Sequence, residues 1–224
     1  MSDLFLALDT SATASAAVYR GGETIAHRAT DSHRNHSEVL AGFITEVLTE
    51  AQLDPVNPKE LGGIFVGVGP GPFTGLRAGI ITAQTLAHTW NVPVHGVLSH
   101  DGLAHRVAPA AFRIGAEEFI VATDARRKEV YWAHYEHIGG QPQRLHGPFV
   151  TAPQGVTKLP VYGAGAGLYP EALYGMTGYT DAVPDAVDIA AYGSLALRRG
   201  RGLEPVEPQY LRGHDAQIPK NLRS

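Results

Sequence analysis

The chain has 224 residues, 44% of them hydrophobic and 18% charged, which suffices for one large core or two lobes and excludes wholesale disorder. A formal net charge of −4 excludes a broad basic footprint for nucleic acid, so any RNA contact is local or carried by a partner. The absence of cysteine excludes disulfides, thiolate zinc sites and a cysteine nucleophile together.

The opening residues lack a basic segment and place Asp9 inside their only apolar run, so they predict neither a signal peptide nor an anchor, and the cytoplasm is the expected compartment. "LFLALD" (4–9) reads as a strand ended by an aspartate, and "ASAAVYRGGETIAHRA" (14–29) as two strands joined across Gly21-Gly22. Asn35 with Glu38 three residues on predicts a helix cap. Val39, Leu40, Phe43, Ile44, Val47, Leu48 and Ala51 then recur at helical period.

"GGIFVGV" (62–68) is the continuous apolar run of a strand covered on both faces. "GVGPGPFTGLRAG" (67–79) follows, and from Thr74 a second helix carries Leu76, Ile80, Ala83, Ala87 and Trp90 on one stripe. "VPVHGV" (92–97) predicts a further strand and 99–107 a third helix. The first half is therefore β-β-β-α-β-α-β-α. A second lobe begins near "EEFIVATDARRKEVYWAHYEH" (117–137), where "FIVATD" set on "LFLALD" pairs Asp124 with Asp9 and suggests a duplicated unit. Beyond it, "LPVYGAGAG" (159–167) reads as a strand entering a glycine turn, 186–200 as a helix with a basic end, and 205–224 as an extended tail. The expected lobes are 1–110 and 111–224.

A glycine-rich loop between a buried strand and a helix start can present amides to an anion, which nominates Gly69, Gly71 and Thr74 as an anion or nucleotide site. Two features oppose it. The loop lacks the lysine of a P-loop, and Pro70 and Pro72 remove two amide donors. Asp9 and Asp124 at strand ends could hold a metal–nucleotide complex, but "TSAT" and "ARRK" follow them where a cradle needs glycine. The histidines lack metal-ligand spacing: His33 and His36, His100 and His105, and His134 and His137 are three, five and three apart, and none forms H-x-x-x-H on a helix. No serine lies in G-x-S-x-G. The small residues Gly75, Ala78, Gly79, Thr82 and Ala83 allow a second helix to approach closely, so the two helices present either a partner surface or faces packed on their own sheet.

Taken together, "LALDTSATASAAVY", "HRNHSEVLAGFITEVL", "IFVGVGPGPFTGLRAGIITAQTLAH" and "PQYLR" closely resemble the bacterial TsaB (YeaZ) family, nearly unbroken over 4–105 and in patches afterwards. The resemblance implies an α/β fold of the actin, sugar-kinase and heat-shock-chaperone superfamily (the ASKHA fold), with two RNase-H-like lobes whose mixed central sheets are flanked by helices. It implies a non-catalytic partner of the paralogue TsaD, which transfers a threonylcarbamoyl group to N6 of the adenosine beside the tRNA anticodon, with the ATPase TsaE completing the assembly. TsaD's metal-binding H-x-x-x-H, laid on this chain, falls on Ser99 and Leu103, so no metal and no catalytic residue are expected. No cofactor is expected, although "YGAGAG" resembles the superfamily's adenosine-side turn and leaves room for weak ATP or ADP contact at the complex interface. The resemblance also favours a partner surface on Val39, Leu40, Phe43, Val47, Leu76, Gly79, Ile80 and Ala83, which can form a homodimer when the paralogue is absent. tRNA is reached only through the complex.

Overall fold

The first sheet grows from the opening apolar run. The structure is a computed structural model that describes residues 2–30 and 36–212. β1 (Leu4–Asp9), β2 (Ser15–Arg20), β3 (Glu23–Ala29), β4 (Gly63–Gly67) and β5 (Val94–Val97) form a sheet in the order β3-β2-β1-β4-β5. β1 runs antiparallel to β2 and parallel to β4. Gly21 and Gly22, at φ +61 and +107, make the expected turn.

Both faces of this sheet are covered, which is why its strands are continuously apolar. Leu4, Leu6, Leu8, Ile64 and Val66 face α1 (His36–Glu50) and α2 (Phe73–Trp90). Phe5, Ala7, Ala17 and Phe65 face the other way, against Ile189 and Ala190 of α5 (Ala186–Arg198). α5 lies close on β4: a Cβ at Gly193 would sit 2.6 Å from Phe65 Cδ1. A division at residue 110 therefore separates α5 from the sheet on which it packs. The predicted cap at Asn35 lies outside the described residues.

α3 (Ser99–Arg113), six residues longer at its C-terminal end than its apolar pattern predicts, bridges to the second sheet. That sheet has the order β8-β7-β6-β9, from β6 (Glu118–Asp124), β7 (Val130–Ile138), β8 (Gln141–Thr151) and β9 (Val161–Tyr162). β6 runs antiparallel to β7 and parallel to β9, as β1 does to β2 and β4. The alignment of Asp124 on Asp9 is thus an equivalence of topology. β8 is absent from the sequence reading because Pro142, Gly147 and Pro148 interrupt its pattern; it is an edge strand with irregular pairing to β7, where such residues are tolerated. α4 (Ala164–Leu168) follows β9. The assembly is an actin-like, two-sheet α/β fold.

Polar ties hold the lobes together. Asp101 on α3 accepts from Tyr135 Oη at 2.8 Å and lies 3.2 Å from Arg144 Nε, while Arg144 Nη2 reaches Glu204 at 2.6 Å. Residues 204–209 also run back along the first sheet, where Glu204 N–H donates to Gly96 O and Gln209 N–H to Val68 O. Among the described residues no helix is long and apolar enough to cross a membrane.

Candidate functional site

Asp9, at the end of β1, is fully buried and joins three segments. Its Oδ1 accepts from Ser11 N–H at 2.8 Å and Ser11 Oγ at 2.7 Å, and its Oδ2 accepts from Ser99 Oγ at 2.7 Å. Ser99 Oγ in turn accepts from Gly69 N–H at 3.3 Å. Burial pushes the Asp9 carboxyl up to about 6, against the opposing pull of the two hydroxyl bonds. The glycine at 67 is a steric requirement of this network, since a Cβ there would lie 1.9 Å from Asp9 Oδ2.

The loop and helix that follow are shaped by the same strand end. A Cβ at Gly71 would meet Ser11 O at 2.5 Å, one at Gly75 Thr10 O at 2.7 Å, and one at Gly79 Thr10 Oγ1 at 2.3 Å. The glycine row at every fourth residue is therefore filled from within the chain by Thr10 and Ser11, where the sequence pattern offers it to another helix.

Most residues of the expected partner surface are buried within the isolated chain. Leu40, Val47, Leu76, Ile80 and Ala83 are each 3% exposed or less, and Gly79 is buried with them, because the α1 stripe covers β2 and β3 and the α2 stripe covers β4 and β1. Val39 and Phe43 are half-buried. What the helices expose is Ala41, Gly42 and Thr45 on α1 and Phe73, Arg77 and Ile81 on α2, with Ile81 59% accessible. Phe73 stacks on Tyr210 with ring centroids 4.9 Å apart, and the Arg77 guanidinium sits 3.8 Å above the Phe73 ring and donates to Tyr210 Oη at 2.8 Å.

Between the lobes lies a cleft of about 410 Å³ lined by Ser11, Pro72, Thr123, Arg126, Gly167 and Asp181 among others. Gly69, Gly71 and Thr74 are not among its lining residues, and the Gly69 amide is engaged by Ser99. The glycine turn at 163–167 does reach it, through Ala164 and Gly167. The cleft presents the hydroxyls of Ser11, Thr123 and Thr180. His100 Nε2 lies 2.9 Å from Thr123 Oγ1, yet burial, reinforced by Arg144, pushes the imidazole down to about 3.

Asp124, the counterpart of Asp9, is more open, and its Oδ2 pairs with Arg126 at 2.9 Å. The turn behind it is unusual: Arg126, Arg127 and Lys128 have φ +60, +55 and +62. Left-handed backbone costs an L residue with a Cβ about 1–2 kcal/mol. In the sequence these residues read only as bulk against a phosphate; the signal available was a strand–strand turn without glycine.

The positions that the paralogue's pattern assigns to metal-binding histidines do not fit a metal. The Ser99 hydroxyl is engaged by Asp9, and Leu103 is fully buried among Val107, Phe119 and Tyr135. Of the other spaced histidines, His105 packs against Tyr192, His134 bonds Glu118 at 2.7 Å with the His146 ring centroid 5.7 Å away, and His137 stacks on Phe112. His33 and the His36 side chain lie outside the described residues. Among the described residues no three metal-ligating side chains converge.

A family model described as TsaD, tRNA N6-adenosine threonylcarbamoyltransferase, matches residues 24–184. The chain is 36% identical to an uncharacterized protein of Mycobacterium leprae over 88% of this chain, spanning 55% of that protein's length. It is 30% identical to the Escherichia coli tRNA threonylcarbamoyladenosine biosynthesis protein TsaB, over 94% of this chain and 95% of that one. A solved structure of YeaZ from Pseudomonas aeruginosa superposes with a TM-score of 0.76 at 30% identity, over 94% of this chain and all of that one. With likeness of sequence and of fold running along nearly its whole length, the chain belongs to the TsaB (YeaZ) family.

Proposed function

We propose that the chain is a non-catalytic partner that stabilises and activates a TsaD-type threonylcarbamoyltransferase, in the cytoplasm, for N6-threonylcarbamoylation of the tRNA adenosine next to the anticodon. A TsaE-type ATPase completes the assembly. One observation carries the reading: where the paralogue's pattern places its metal-binding histidines, a hydroxyl holds a buried aspartate and a leucine fills the core. The scaffold is kept while two of the ligands that the chemistry needs are replaced by groups with structural work.

The docking face is the exposed outer side of α1 and α2, centred on Phe73, Arg77 and Ile81, which combine a stacked aromatic, a guanidinium and an accessible aliphatic side chain. In isolation the same face pairs two copies of the chain. The reading calls for no cofactor, and any ATP or ADP contact is a weak one at the complex interface. The test is modification reconstituted from threonine, bicarbonate, ATP, tRNA, the TsaD-type paralogue and the TsaE-type ATPase, with and without this chain. Product is expected only when the chain is present; undiminished product without it overturns the reading, and calorimetry with Mg-ATP reads the nucleotide contact separately.

A further inference from the structure

Two other hairpin turns in this chain use glycine where φ is positive: Gly21-Gly22 between β2 and β3, and Gly139-Gly140 between β7 and β8. The turn between β6 and β7 places Arg126, Arg127 and Lys128 in the same left-handed region, and all three side chains are exposed. Glycine adopts this conformation readily and asparagine or aspartate more easily than most residues, so three cations there run against backbone preference. Strained residues that persist point to function.

The turn is well anchored. Ala125 N–H donates to Glu129 O at 3.1 Å, Glu129 N–H to Arg126 O at 3.0 Å, and Arg126 N–H to Asp124 Oδ1 at 2.7 Å. Arg212 pairs with Glu129 at its base. An anchored backbone thus carries three consecutive exposed cationic residues, of which Arg126 pairs with Asp124 Oδ2 at 2.9 Å and also lines the interlobe cleft, so the turn forms one lip of that cleft. On a chain with net charge −4, contact with a polyanion depends on such a local patch.

We propose that Arg126, Arg127 and Lys128 form a phosphate-contact site for RNA, taking backbone phosphodiesters of the tRNA at the lip of the cleft. The identity of the polyanion rests on the tRNA-modification reading above. Contacts of this kind position the nucleic acid without reading its sequence.

The experiment replaces Arg127→Gly and Lys128→Gly together and titrates the variant, in complex with the TsaD-type paralogue, with tRNA over a range of salt. Two lost phosphate contacts weaken binding about tenfold and make log K against log salt shallower by about 1.5. The unfolding midpoint of the variant rises, because glycine accepts the left-handed backbone, and Arg127→Lys retains both affinity and slope. Unchanged affinity and slope overturn the proposal, as does a wild-type complex that binds no tRNA, or a loss seen with Mg-ATP and not with tRNA. Co-purification is measured in parallel. If wild type does not assemble with the paralogue, the partner reading fails, and titration of the chain alone, wild type against variant, decides this proposal.

Discussion

Ser99 Oγ lies 2.7 Å from Asp9 Oδ2, joining the start of α3 to the end of β1 with both residues fully buried. Gly67 closes the space around them, since a Cβ there would also come within 2.8 Å of Ser99 Oγ. Gly67→Ala is therefore expected to destabilise the chain by about 3 kcal/mol or more, because the carboxylate must lose a bond or the strands must part. Urea denaturation measures this; a loss below about 1 kcal/mol, within the range of a minor repacking, would show that the network relaxes easily.

The glycine row of α2 gives a second expectation. Alanine gains about 1 kcal/mol over glycine in a helix interior, yet Gly75→Ala places a methyl 2.7 Å from the Thr10 carbonyl oxygen. Overpacking of about 1–3 kcal/mol outweighs the propensity gain. For Gly79→Ala the obstacle is the Thr10 hydroxyl at 2.3 Å, which has no hydrogen-bond partner among the described residues. Thr10→Ala added to Gly79→Ala should then recover most of the loss, and a double-mutant cycle that proves additive would contradict the contact.

On the outer face of α2 the expectation reverses. Ile81→Asp leaves stability within about 0.5 kcal/mol, since Ile81 is 59% accessible, and abolishes co-purification with the TsaD-type paralogue. Its neighbour Ile80 is 3% exposed, so Ile80→Asp buries a charge and unfolds the chain. The pair separates docking from folding. Normal complex formation by the Ile81 variant would place the interface elsewhere.

Asp188 supplies a pH dependence of defined sign. Burial, partly opposed by the Arg106 guanidinium 3.3 Å away, pushes its carboxyl up from 3.8 to about 7. The folded chain thus holds a proton that the unfolded chain releases, and the corresponding stability is complete below about pH 4 and lost as pH rises through 7. Between those limits the loss runs at about 1.4 kcal/mol for each tenfold fall in proton concentration. Asp188→Asn should remove this slope, so its stability relative to wild type climbs from pH 4 to 7. His100, whose lowered pKa acts in the opposite sense, contributes equally to both proteins and cancels. Parallel stability curves would exclude Asp188 as the titrating group.

Strand and helix periodicity made β1 to β7 and α1 to α3 legible, because a strand buried on both faces is continuously apolar and a helix on a sheet carries one stripe. Asp9, the glycine loop and the Ser99 and Leu103 substitutions were legible too, since each is a matter of residue identity at a position. Burial was not. Leu40, Val47, Leu76, Ile80 and Ala83 form the stripe that any amphipathic helix shows, and composition does not say whether the chain's own sheet or a partner covers it. Tertiary packing decided that: with β2 and β3 beneath the α1 stripe, β4 and β1 beneath the α2 stripe, and Thr10 and Ser11 against Gly71, Gly75 and Gly79, the side chains of α2 left accessible include Phe73, Arg77 and Ile81. The left-handed run at Arg126, Arg127 and Lys128 was equally hidden, because φ at a residue with a Cβ is imposed by the strands that the turn must join.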